Sequence, residues 1–158
     1  MKYICYLLLV SMSFNSFDNE TYVKTFYENG SLESEGWIKQ DKKEDYWKFY
    51  YNNGQIKKEG HFSNNNPIEY WYFYAPNGLK ESEGHFVNGK KTNWWVFYDH
   101  SGQVSHKCQL KFNQKNGYCL KYKNGDIISA SKYNAGKKIK EWYNLKDFKK
   151  ENNLLNLR

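Results

Sequence analysis

Trp47, Trp71 and Trp95 stand 24 residues apart, and Gly30, Gly54, Gly78 and Gly102 keep the same interval. A period of that length describes a chain built from supersecondary units, none of which buries its apolar side alone. It argues for an elongated object and against a single catalytic centre. Aligned on their aromatic clusters, the units begin VKTFYENG at Val23, WKFYYNNG at Trp47, WYFYAPNG at Trp71, WVFYDHSG at Trp95 and CLKYKNG at Cys119, with Trp142 opening a partial sixth. Glu35-Gly36, Glu59-Gly60 and Glu83-Gly84 recur downstream, and second turns follow at VNGKK and NAGKK.

Each unit holds two short aromatic and β-branched runs separated by Asn/Gly turns, the pattern of a β-hairpin. The predicted fold is all-β: an elongated antiparallel stack of hairpins in a single twisted sheet or meander, with a short C-terminal cap. Alternation puts Trp47, Phe49 and Tyr51 on one face and Tyr46, Lys48 and Tyr50 on the other. Ile56, Lys58, Gly60 and Phe62 likewise alternate with Lys57, Glu59, His61 and Ser63. A glycine inside a strand pattern marks a bulge or room for a neighbouring ring, so Gly60 and Gly84 are expected to lie beneath a Trp or Tyr of the adjoining strand. Trp47, Trp71 and Trp95, with Gly54, Gly60, Gly78, Gly84 and Gly102, are thus structural repeat positions.

The mean hydropathy is -0.98, yet 20% of the residues are aromatic. Large rings rather than aliphatic side chains supply the apolar area, and a chain so rich in them is not disordered. The net charge is +7, carried almost wholly by lysine, since Arg158 is the only arginine. Specific phosphate or guanine recognition favours the guanidinium fork, so specific nucleic-acid binding is not expected. Diffuse attraction to anionic surfaces, or a merely solvated face, both remain.

Residues 1–13 read as a short signal peptide, with an apolar run from Ile4 to Val10 and Ser11 and Ser13 at cleavage positions; a buried N-terminal strand is the alternative. Residues 14–21 read as a linker, 22–143 as the repeats, and 144–158 as a C-terminal tail or cap whose Leu145, Phe148, Leu154, Leu155 and Leu157 would cover the final edge strand. The expected location is outside the cytoplasm. Cys108 and Cys119 remain after cleavage, and an even number in an exported chain permits a disulfide.

The tract GHFVNGKKTNWWVFYDHSGQ, from Gly84 to Gln103, resembles the MORN-variant repeat of bacterial proteins, including the YwqK-type antitoxin repeat family, and weaker copies run from Tyr22 to Tyr143. The resemblance implies an antiparallel stack of hairpins, no catalytic residues, and a binding or scaffolding role. Lys107-Cys108 and Ala130-Ser131 depart from its Glu-Gly pattern. A weaker similarity, over Gly36 to Gly54, links the chain to aromatic repeats of choline- and glucan-binding proteins.

Among the residues themselves, His61 and His85 occupy equivalent positions, roughly 9–10 Å apart by strand spacing. That is too far for one metal, and the position reads Trp37, His61, His85, Gln109, Lys132 across the units. The repeated Glu35, Glu59 and Glu83 form a by-product ladder rather than a tuned acid and base. No nucleophile elbow, phosphate loop or HExxH tract occurs. Neither an enzyme nor a cofactor is expected. The candidate binding face is the ladder of Tyr50, Tyr74, Tyr98 and Tyr122 with Lys90 and Lys91, since stacked rings bind sugars, cations and extended peptides; the same rings serve equally well as core. The expected function is a non-enzymatic scaffold for an unidentified protein partner in the envelope or outside the cell. The alternatives are a binding module for envelope glycan or anionic lipid, and an antitoxin-like neutralising partner.

Overall fold

The computed structural model describes residues 19–152. The signal-peptide span 1–13, most of the linker, and Leu154, Leu155 and Leu157 lie outside them. The described chain forms one antiparallel sheet whose eleven strands follow sequence order. They are β1 (Thr21–Phe26), β2 (Leu32–Lys39), β3 (Lys42–Tyr50), β4 (Ile56–Ser63), β5 (Asn66–Tyr74), β6 (Lys80–Val87), β7 (Lys90–Tyr98), β8 (Val104–Lys111), β9 (Gln114–Lys123), β10 (Asp126–Asn134) and β11 (Lys137–Trp142). One helix, α1 (Leu145–Glu151), follows. The sheet is open, with β1 and β11 at its two edges.

Two kinds of turn alternate along it. On one side the link is two residues long and both take positive φ, as at Asn64 (49°) and Asn65 (65°). Asn and Gly tolerate that conformation and match the right-handed twist of the flanking strands. On the other side the loop is wider and closes on the periodic glycine: Gly54 donates to the Tyr51 carbonyl at 2.9 Å and Tyr51 to the Gln55 carbonyl at 2.8 Å. In the fifth unit this loop shrinks to the two-residue turn Asn124-Gly125, which accounts for the interval of 23 between Gly102 and Gly125.

A single-layer sheet has no second layer to cover its core, and here a bulge provides the cover. Glu35 and Trp37 of β2 pair with Lys48 and Glu44 of β3, so Asp45, Tyr46 and Trp47 stand opposite Gly36 alone. Glu69, Tyr70 and Trp71 stand the same way opposite Gly60. The extra residues belong to the strand facing the glycine, not to the glycine's own strand. Asp45, Glu69 and Asn93 absorb the arch at φ of 57°, 60° and 59°.

The arch folds each indole flat over the glycine. A Cβ placed on Gly36, Gly60 or Gly84 would fall within 3.0 Å of the ring of Trp47, Trp71 or Trp95 respectively. The indole N–H then closes the bulge: Trp71 Nε1 donates to the carbonyls of His61 (3.1 Å) and Ile68 (3.0 Å), and Trp47 Nε1 to those of Trp37 (2.9 Å) and Glu44 (3.1 Å). Carbonyls that lose ladder partners at the bulge are thus satisfied by the side chain that the bulge folds inward. Phe62 and Phe86 fill the gaps between successive indoles edge-on, at 5.0 Å from Trp71 and 5.2 Å from Trp95. The three indoles are 2% exposed or less.

The cysteines pair. Cys108 and Cys119 are directly opposite in β8 and β9, with Cα atoms 4.0 Å apart, and form a disulfide. They occupy the register of Gly84 and Trp95, so a covalent bond replaces ring-over-glycine packing in that unit.

Trp142 does not continue the indole series. The bulge between β10 and β11 carries one extra residue, Ile139, instead of two, so Trp142 pairs with Ala130 and packs with Tyr118, Leu120 and Phe148. Asn144 caps α1 by accepting from the Asp147 amide, and Phe148, 0% exposed, seats the helix against Tyr118 and Trp142. Helix α1 therefore covers a face of the last three strands, where Phe148 is matched by the rings of Tyr118 and Trp142 that stand out from the sheet.

Gly60→Val should lower stability by about 3 kcal/mol or more, since the new side chain and the indole of Trp71 occupy the same space. Urea denaturation followed by tryptophan fluorescence measures it, and an unchanged midpoint refutes the packing described.

Candidate binding surface

The two faces of the sheet differ in chemistry. One carries the indole and phenylalanine chain, roofed by lysine stems: Lys43, Lys58 and Lys91 hold their ammonium groups 4.8, 4.5 and 4.0 Å from the ring centres of Trp47, Phe49 and Trp95. Burial holds Lys58 and Lys91 below the ordinary lysine range. These lysines shield apolar rings with their methylenes.

The other face carries tyrosine and glutamate. The hydroxyls of Tyr50, Tyr74 and Tyr98 donate to Oε1 of Glu35, Glu59 and Glu83 at 2.6, 2.8 and 2.5 Å. Burial, and then the hydrogen-bonded carboxylate, raise all three phenols above their ordinary value. Lys24 and Lys80 pair with Glu35 and Glu83 at 3.2 and 2.8 Å. The period thus builds a ladder of hydroxyl–carboxylate pairs, each joining adjacent hairpins.

The predicted binding residues do not gather in one place. Tyr50, Tyr74 and Tyr98 share a face, but their hydroxyls are committed to glutamates. Tyr122 has no such partner because Lys107 replaces the glutamate, with its ammonium 5.7 Å from the ring centre. Lys91 belongs to the indole face, and Lys90 lies at a hairpin tip beside Phe112, 5.5 Å from that ring.

A second aromatic row on the tyrosine face was not singled out from the sequence, although its spacing is also 24: Tyr22, Tyr46, Tyr70, Trp94 and Tyr118. Tyr46, Tyr70, Trp94 and Tyr118 sit in the bulges, Tyr22 holds the equivalent place in the edge strand, and the five pair across strands with His61, His85, Gln109, Lys132 and Trp37 respectively. Tyr46 meets His61 edge-to-face at 4.9 Å and Tyr70 meets His85 at 4.8 Å. Burial, followed by the nearby Glu59 or Glu83, raises the phenols of Tyr46 and Tyr70 to about 12. The first member of the row is largely exposed, Tyr22 at 45% with Trp37 at 38% beside it. At the far end Tyr118 is covered by Phe148 of α1, and the buried Trp94 Nε1 has no hydrogen-bond partner.

His61 lies 3.3 Å from the Glu69 carboxylate. Among the described residues no group of three His, Cys, Asp or Glu side chains is arranged to hold a metal ion, and no helix is long and apolar enough to cross a membrane.

No protein-family model matches the chain, and no curated protein matches it. Among solved structures it is similar to a chain from the crystal structure of accessory secretory protein 1, 2 and 3 in Streptococcus pneumoniae, with 16% identity and a TM-score of 0.39. The match covers 64% of this chain and 19% of that one, so this chain spans about a fifth of its length.

The Tyr50 hydroxyl is the largest influence holding the Glu35 carboxyl below its ordinary range. A carboxyl depressed in the folded state contributes stability that is present above its ordinary range and lost as pH falls through the folded value. Tyr50→Phe should therefore cost about 1 kcal/mol at neutral pH and flatten the acid limb of a urea-midpoint-versus-pH curve. An acid limb as steep as the parent's contradicts the assignment.

Proposed function

We propose that the chain is a non-enzymatic hairpin-repeat scaffold of the MORN-variant kind, which engages a protein partner through its tyrosine face. The observation that carries this reading is the row Tyr22, Tyr46, Tyr70, Trp94 and Tyr118, whose final member already accepts Phe148 of an amphipathic helix. An apolar anchor set among half-buried aromatic rings, inside a rim of committed Glu–Tyr pairs, is the composition of a protein-binding hot spot. Rings that meet histidines edge-on suit side-chain anchors better than flat stacking of sugars. The Cys108–Cys119 disulfide supports a location in an oxidising compartment, in keeping with the reading of residues 1–13 as an export signal. The antitoxin-like role is a special case of protein binding and needs a toxin as the partner.

The test is affinity capture from an envelope extract by the full chain, beside the variants Tyr46→Ser/Tyr70→Ser and Lys43→Gln/Lys58→Gln, the latter altered on the opposite face. A protein retained by the parent and the lysine variant, lost from the tyrosine variant and insensitive to salt, supports the reading. Retention only of glycan, or of anionic vesicles in a salt-sensitive manner, replaces it with the alternative module.

A further inference from the structure

On the indole face, each row of paired residues beside a bulge is closed by a ring: Trp47 lies over Gly36 and opposite Gly60, and Trp71 over Gly60 and opposite Gly84. The corresponding row in the C-terminal strands runs Cys108, Cys119, Ser131 and Glu141, with no ring in it. Cys119 stands where an indole stands elsewhere. The result is a hollow of about 260 Å³ over the disulfide, lined by His106, Lys115, Lys121, Ser129, Ser131 and Tyr133 among others.

Its walls are cationic. The adjoining row brings His106, Lys121 and Ser129 side by side on three consecutive strands. Lys115 reaches in from the start of β9 and holds its ammonium 5.0 Å from the Tyr133 ring centre. Lys138 also lines the hollow but is spent on Glu141, the single carboxylate there, at 2.8 Å. Lys115 and Lys121 have no carboxylate partner among the described residues. His106 lies parallel to Phe97, ring centres 4.4 Å apart, with Nδ1 2.9 Å from the Ser105 hydroxyl. Two uncompensated ammonium groups above an apolar floor of disulfide and ring make a site for negative charge attached to a small apolar body.

We infer that this hollow binds a small organic anion, in which a carboxylate or phosphate group meets Lys115 and Lys121 while a short apolar portion rests on the Cys108–Cys119 disulfide and the Tyr133 ring. The site is separate from the tyrosine face and does not depend on it. His106 reports occupancy. Burial, and then the charges of Lys115 and Lys121, hold its imidazole below the ordinary histidine value. An anion seated between those lysines offsets their charge and raises it, and by reciprocity binding tightens as His106 gains a proton. Glu141, kept ionised by Lys138, is already present in both states and does not supply this change.

The experiment is NMR titration of the His106 imidazole in the full chain with inorganic phosphate, with benzoate, and with chloride at matched ionic strength. The expected result is a His106 pKa raised by about one unit at saturation, equivalent to roughly tenfold tighter binding to the protonated form. A rise with phosphate alone identifies a phosphate-bearing ligand, and a rise with benzoate alone a carboxylate. Lys115→Gln and Lys121→Gln should abolish the rise, while Lys24→Gln, on β1, leaves it intact. The pair Cys108→Gly/Cys119→Trp restores the ring-over-glycine arrangement of Gly84 and Trp95; it should fold, fill the hollow and lose the response. The inference is overturned if neither anion moves His106 more than chloride does, or if the Lys115, Lys121 or refilled variants respond as the parent does.

Discussion

The structure depends on an indole lying against a bare backbone. A lone sheet exposes both its faces, and burying a large ring normally takes a second layer. Here the second layer is the sheet's own bulge, which arches three residues over one glycine and lays Trp47, Trp71 or Trp95 inside the arch. Three conditions hold together: the glycine lacks a Cβ, Asp45, Glu69 or Asn93 accepts a positive φ, and the indole N–H takes up carbonyls that the arch has freed. Removing any one exposes the other two. Interlocked local requirements of this sort explain how a chain of strongly polar average composition keeps three tryptophans dry.

The consequence is a division of labour between faces. Because the indole chain settles stability on one side, the opposite side is released to carry hydroxyl–carboxylate pairs and half-covered rings. The Glu–Tyr ladder ties neighbouring hairpins at a spacing set by the same period. Charge follows the same division: Lys43, Lys58 and Lys91 roof the indole and phenylalanine chain, whereas Lys115, beside Tyr133, and Lys121 gather where the indole is missing, with no carboxylate partner among the described residues.

Much of this is written plainly in the residues. The interval between Trp47, Trp71 and Trp95 yields the hairpin stack, the Asn-Gly pairs yield the turns, and Gly60 within an apolar run yields the ring above it. Period-two counting also separates Lys91 from Tyr98, which lie on opposite faces of β7. What the residues do not announce is the width of each bulge. Asp45 and Glu69 are not glycines, so nothing in their identity advertises the left-handed backbone that the arch requires. The disulfide depends on register: Cys108 and Cys119 are eleven positions apart, and only the bulge that sets Asn116, Gly117 and Tyr118 against Gln109 brings them opposite each other. The aligned units show Cys119 in an indole's place, but the hollow that this leaves depends on the same register.

The narrower bulge at Ile139 has a meaning of its own for the architecture. Because ring placement alternates with every residue, subtracting one position sends Trp142 through the sheet to the side where α1 waits. A further hairpin added after β11 would inherit no indole on the side where the first three lie, and would find its other side already occupied. A bulge one amino acid narrower thus acts as a stop codon for the hairpin series, by changing which way one tryptophan looks.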